Sequence, residues 1–213
     1  MDQYLKSIID HKIRKTLENL DRNHIMAIYL ESKDQVVAKL TELLRQGDTV
    51  ACGGSMTLFE TGVIEHLRSG RYHFLDRYAE GLTRDQLQDI FRKSFLADGY
   101  VTSTNAITEN GELYNVDGNG NRVAAMMYGP ENVIVVAGIN KLVRDVDEAV
   151  QRVKTIAAPA NATRLSTLTP CVKTGTCMAC KSEQRICCSY TVFGQQRVKN
   201  RMKVILVGEP LGY

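Results

Sequence analysis

No apolar run in the chain approaches the ~20 residues that a bilayer-crossing helix requires, which excludes a helical membrane span. The first twenty residues, MDQYLKSIIDHKIRKTLENL, interleave charges with apolar side chains and lack the continuous apolar stretch of a secretory signal. A soluble, cytoplasmic chain is therefore expected. Histidine is scarce: His11, His24, His66 and His73 are scattered without the spacing of a zinc-protease helix, so each reads as a surface or structural residue. The glycine spacings of a Walker loop and of the dinucleotide fingerprint are absent, and no segment repeats. Acids are scarce in one place only. Between Arg164 and Lys203 a single acid, Glu183, faces eight Lys or Arg, a net +7; the whole chain is +3, so the other 173 residues carry −4. Five of the six cysteines fall inside that basic stretch. The remaining composition, 44% apolar and 24% charged over 213 residues, is that of one ordinary globular domain.

The body reads as strands alternating with helices. Leu5, Ile8, Ile9, Ile13, Leu17 and Leu20 recur at helical spacing over residues 2–21, and Val36, Val37, Leu40, Leu43 and Leu44 mark a second helix. Strands are expected at Ile25–Leu30, Thr49–Cys52 and Tyr72–Leu75, with a helix over Thr57–Leu67. Thr83 with Gln86 three residues on has capping-box spacing, in which each side chain satisfies an orphan backbone donor. From Tyr100 the period becomes two, predicting short strands at Tyr100–Thr104, Ala106–Thr108, Glu112–Val116 and Arg122–Met127. Asn110-Gly111 and Gly118–Asn121 supply positive φ angles and predict hairpins between them. Val133–Val136 is a β-branched run suited to a strand buried on both faces; a helix over Asp145–Ile156 and a strand over Val204–Val207 follow. The expected architecture is a layered α/β domain spanning residues 1–213, with a mostly parallel central sheet, a small antiparallel extension, and a cysteine-rich insertion at 166–192.

Three stretches could carry chemistry. Gly53-Gly54-Ser55-Met56-Thr57 lies between a predicted strand and a predicted helix, where small residues and free amides let an anion approach the backbone. Ser55 and Thr57 can add hydroxyl contacts or merely cap the helix, and Glu60 can meet a ligand hydroxyl or simply favour the helix dipole. The second stretch, Thr102 to Gly111, gathers hydroxyls, Asn105, Thr108 and the Glu109 carboxylate before a tight turn. A carboxylate there suits a nucleophile or general base, or a solvated hairpin shoulder. The third is the set Cys171, Cys177, Cys180, Cys187 and Cys188, in which the Cys-x2-Cys pair lets two thiolates converge on one metal or cluster. Zinc or a four-iron cluster needs four thiolates, so one of Cys187 and Cys188 is spare. The spacing differs from the bacterial ferredoxin run, and a chain without a secretory signal argues against disulfides. Cys52, in an apolar strand, reads as core. The surrounding basic residues can offset a negatively charged cluster or meet an acidic partner. Nucleic acid is disfavoured, because only Tyr190 and Phe193 are interleaved with the charges as stacking platforms.

The succession ACGGSMTLFETG, then TSTNAITENGELYNVDGNGNRVAAMMYGPENVIVVAGINKLV, then the cysteine segment resembles the LUD domain family of lactate utilisation proteins over nearly the whole chain. The resemblance implies the fold of ribose-5-phosphate isomerases, sugar-phosphate deaminases and CoA transferases. By carry-over, Gly53, Gly54, Ser55 and Thr57 bind the anionic part of a small molecule, with Asn105, Thr108 and Glu109 on the opposite wall. Glu109-Asn110-Gly111 is similar to the turn whose carboxylate is catalytic in CoA transferases. The family is linked to oxidation of L-lactate to pyruvate alongside partner redox proteins that carry iron–sulfur clusters, and relatives of this fold commonly form homo-oligomers. Two functions follow as expectations: a redox accessory protein with a cysteine-bound iron–sulfur cluster, or an enzyme of CoA-transferase or sugar-phosphate type with Glu109 catalytic and structural zinc on the cysteines.

Overall fold

The computed structural model describes residues 2–213. Helix α1 (Gln3–Arg22) is opened by the Asp2 carboxylate, which accepts the Tyr4 and Leu5 amides. Strand β1 (Met26–Leu30), helix α2 (Val36–Leu43) and strand β2 (Thr49–Cys52) follow. The expected helix over Thr57–Leu67 is two, α3 (Met56–Glu60) and α4 (Val63–Leu67), because Gly62 adopts φ +69° and breaks the run. Next come β3 (His73–Leu75) and α5 (Arg84–Lys93), whose Thr83–Gln86 capping box forms in both directions. Then come β4 (Gly99–Thr102), β5 (Ala106–Thr108), β6 (Leu113–Asp117), α6 (Asn121–Tyr128), β7 (Asn132–Gly138), β8 (Leu142–Val143) and α7 (Val146–Arg152). A π-helical turn, Val153–Ala157, joins α7 to α8 (Ala158–Arg164); α9 (Pro170–Thr174), β9 (Ser189–Phe193) and β10 (Met202–Val207) complete the fold.

The central sheet has six parallel strands in the order β1-β10-β7-β4-β2-β3. Its β-branched runs are explained by burial on both faces. In β7, Val133 and Val135 join Tyr100, Val204 and Leu206 under α1 and α6, while Ile134 and Val136 join Val101, Ile205 and Val207 under α2, α3 and α4. Period two thus divides neighbours between two hydrophobic layers. From β2 the chain moves outward to β3, then returns to lay down β4, β7 and β10 on the other side. The direction reverses between β2 and β4, so their carboxyl ends diverge there into the crevice where open α/β sheets bind ligands.

The second sheet has four strands in the order β8-β5-β6-β9. β5 and β6 form the hairpin expected at Asn110-Gly111, and β8 adds in parallel, so the extension is mixed. Gly111 is required twice over: its φ is +79°, and a Cβ would lie 2.5 Å from the Asn19 backbone of α1. β9 pairs with β6 over five residues, Leu113 opposite Phe193 through Asp117 opposite Ser189, which ties the cysteine segment to the body.

One expected strand is a helix. Arg122–Met127 lies in α6, and Gly118–Asn121 is no hairpin but the turn that enters it. Gly120 takes φ +77°, the Asp117 carboxylate accepts the Arg122 amide, and Val123 and Met126 share the buried face. The short apolar run Val123–Met127 between turn residues fits a strand as well as a helix by pattern alone. The apolar face of α1 also ends sooner than its sequence does: Ile13 and Leu20 are buried, while Leu5 and Ile8 are exposed.

Candidate functional site

The crevice between β2 and β4 holds a pocket enclosing about 660 Å³ of free space, its open mouth included. Gly54, Ser55 and Thr57 come from the loop after β2 and the start of α3; Ser103 and Asn105 come from the segment after β4. The far wall is Ala157, Asn161 and Arg164, with Ile186, Cys187 and Tyr213 closing the sides. Of the ligand residues expected from sequence, Gly54, Ser55, Thr57 and Asn105 are brought together here. Gly53 and Thr108 are not among the lining residues. Gly53 stands behind the pocket, where a Cβ would sit 2.3 Å from Thr102 Oγ1 and 3.1 Å from the Arg122 side chain.

Glu109 also lies off this lining. Its carboxylate accepts from Lys15 Nζ at 2.9 Å with Lys12 at 3.9 Å, and its carbonyl accepts from Asn19 Nδ2, so it fixes α1 to the hairpin. Glu60 is engaged as well: Oε2 accepts the Gly212 amide at 2.7 Å. Asn140 clasps the same tail, accepting from Leu211 N and donating to Gly212 O, which holds residues 211–213 beside the pocket.

Two cationic residues that sequence reading passed over dominate the site. Arg122 is buried and commits all five N–H groups: to the Asp117 carboxylate, Ser103 O, Asn115 Oδ1, Asn105 Oδ1 and Val116 O. It clamps β6 and the segment after β4 against α6. Lys141 follows β7 and is 2% exposed, with Nζ donating to Thr57 Oγ1 and Ser103 Oγ, each at 2.9 Å. Burial pushes its amine down to about 7; Arg152 and Arg122 act in the same direction and Glu60 opposes. The sequence signal was available: a lysine three residues past Gly138, at the carboxyl end of a buried parallel strand, belongs to the crevice.

All six cysteines are free thiols. Cys52 is buried in β2, and burial pushes its thiol up to about 12. Cys171, Cys177, Cys180 and Cys187 line one apolar cavity of about 350 Å³, mouth included, together with Ala158, Thr169, Met178, Arg185 and Ile186. Cys188 is outside it and exposed, its Sγ directed to Arg185 O. Adjacent residues on the approach to β9 point to opposite sides, which separates Cys187 from Cys188. Arg185 organises the loop by donating to the carbonyls of Cys180 and Cys187 and to Tyr190 Oη. Cys177 is fixed by its amide to Lys154 O at 2.8 Å. The Cys187 thiol is pushed up to about 11, first by burial and then by Cys177, with Cys171 and Cys180 adding to it. Among the described residues, no three His, Cys, Asp or Glu side chains stand close enough to hold a single metal ion. Four of the five clustered cysteines thus share the lining of one cavity. Ile186, Cys187 and Ala158 border both cavities, so one wall separates the thiols from the cationic pocket.

The model of the LUD domain family matches residues 13–207. Nothing matches among curated proteins. Among solved structures, the chain is similar to a DUF162 family protein from Deinococcus radiodurans, with 16% identity, 95% of this chain and 98% of that one covered, and a TM-score of 0.52. That likeness shows the fold. Similarity to eIF2B beta from Chaetomium thermophilum (18% identity, 55% and 41% covered, TM-score 0.38) is weaker. So is similarity to a malonate decarboxylase alpha subunit from Acinetobacter baumannii (12%, 98% and 39%, TM-score 0.38). No helix among the described residues is long and apolar enough to cross a membrane.

Proposed function

The chain belongs to the LUD domain family, and from that premise we propose that it is a redox accessory protein whose Cys171, Cys177, Cys180 and Cys187 hold an iron–sulfur cluster. The observation that carries this reading is the confluence of four free thiols on one apolar cavity, with the fifth turned away. Four thiolates are what a four-iron cluster takes from protein, and an apolar wall limits solvent at the sulfurs. Such a cluster supplies one-electron transfer when bound. The protein's own part is to position the sulfurs: α9 presents Cys171, the Lys154 carbonyl fixes Cys177, and Arg185 holds the carbonyls of Cys180 and Cys187. Exposed Lys173 and Lys181 flank the loop and offset the negative charge of a thiolate-bound cluster. Within the family's link to lactate, the chain exchanges electrons with partner redox proteins during oxidation of L-lactate to pyruvate.

Anaerobic purification followed by iron, sulfide and zinc analysis and visible absorption tests the reading. A brown protein with about four irons is expected. Serine at any of Cys171, Cys177, Cys180 or Cys187 should remove the chromophore, and Cys188→Ser should retain it. A colourless protein with one zinc would establish the structural-metal alternative, and a metal-free protein would end both.

A further inference from the structure

The pocket between β2 and β4 carries cationic charge that its acids do not match. Lys141, Arg122 and Arg164 line it, and Arg152 of α7 acts on Lys141 from behind. The acid acting on Lys141 is Glu60 of α3, which holds the Gly212 amide, and the acid on the pocket lining is Asp117 of β6, which is paired with Arg122. Tyr213 and Cys187 are the other titratable groups on the lining. Donor counting then separates the two buried cations. Arg122 has no N–H left to offer. Lys141 has two acceptors, the Thr57 and Ser103 hydroxyls, and no third among the described residues. A neutral amine with two N–H groups is satisfied by that pair, whereas an ammonium has three and needs one acceptor more.

We propose that this pocket is a subsite for a small oxyanion, a carboxylate or a phosphate, and that Lys141 is its anchor. The anion supplies both the missing acceptor and the countercharge, so the occupied site holds the ammonium and the Arg122 and Arg164 charges add to the attraction. Because the free amine titrates near neutrality, binding above pH 7 draws a proton from solution. This subsite is independent of whether the cysteines hold a cluster.

Isothermal titration calorimetry of the full chain with two probes tests it: sulfate, a non-titrating stand-in for phosphate, and L-lactate as the carboxylate. At least one is expected to bind, with Kd rising roughly tenfold per pH unit above pH 7.5 and flat below pH 6. Comparing buffers of different ionisation enthalpy at pH 8.5 should show close to one proton taken up per anion. Lys141→Met should weaken binding at pH 6 at least about tenfold and abolish the pH dependence, with a cooperative melt confirming its fold. Which probe binds identifies the anion class. Binding of neither probe, binding at pH 8.5 without proton uptake, or a Lys141→Met protein with the wild-type pH profile would each overturn the proposal, and the uptake measurement needs no variant.

Discussion

Replacing Lys141 by methionine is expected to stabilise the protein at neutral pH and to destabilise it at high pH. The amine sits at about 7 in the folded chain against 10.5 when unfolded. Between those values the unfolded state binds the extra proton, so wild-type stability rises with pH across that window and the penalty is at full size below pH 7. A displacement of that size destabilises the wild type by about 4 kcal/mol at pH 7 relative to pH above 10.5. Methionine removes the amine at similar volume but deprives the Thr57 and Ser103 hydroxyls of their donor, a loss of about 2 kcal/mol. The balance is a gain of about 2 kcal/mol at pH 7 and a loss of similar size near pH 10.5. At ~2–4 °C per kcal/mol the gain is a melting temperature higher by about 5 °C. Urea unfolding of both proteins under reducing conditions, from pH 6 to 10.5, measures the difference directly. A difference that stays constant across that range would show that the amine is not perturbed by its burial, and the reasoning from desolvation would fail.

Three other perturbations probe the site. Arg122→Met strands the Asp117 carboxylate and empties five hydrogen bonds; a loss of about 3–5 kcal/mol is expected by chemical denaturation, and a loss below 1 kcal/mol would refute the clamp. Glu109→Gln removes a pair whose lysines are more than half exposed, so stability should fall by less than about 1 kcal/mol; a larger fall would mean that α1 depends on this charge. Alkylation of the metal-free native protein at pH 8, read by mass spectrometry, should modify exposed Cys188 first and leave Cys52 intact, since burial holds that thiol at about 12. Early modification of Cys52 would show that β2 opens.

The amino-acid order alone determined whatever is settled within a few residues. The two-layer burial of Val133–Val136, the Thr83–Gln86 box, the Asn110-Gly111 turn and the crowding of five cysteines into one basic stretch were all legible, because periodicity and turn chemistry are local. The helix at Asn121–Tyr128 was not, since a short apolar run between turn residues fits helix and strand alike until packing on the central sheet chooses between them. Tertiary structure alone decided which of the expected residues meet: Thr57 and Asn105 share a pocket, Thr108 and Glu109 stand outside its lining, and Lys141 enters from a third strand. It also separated four cysteines from the fifth through the pairing of β9 with β6. Strand order in a parallel sheet is set by long-range burial, with no counterpart in the spacing of neighbouring residues, so a site assembled from the ends of β2, β4 and β7 exists only once that order is fixed.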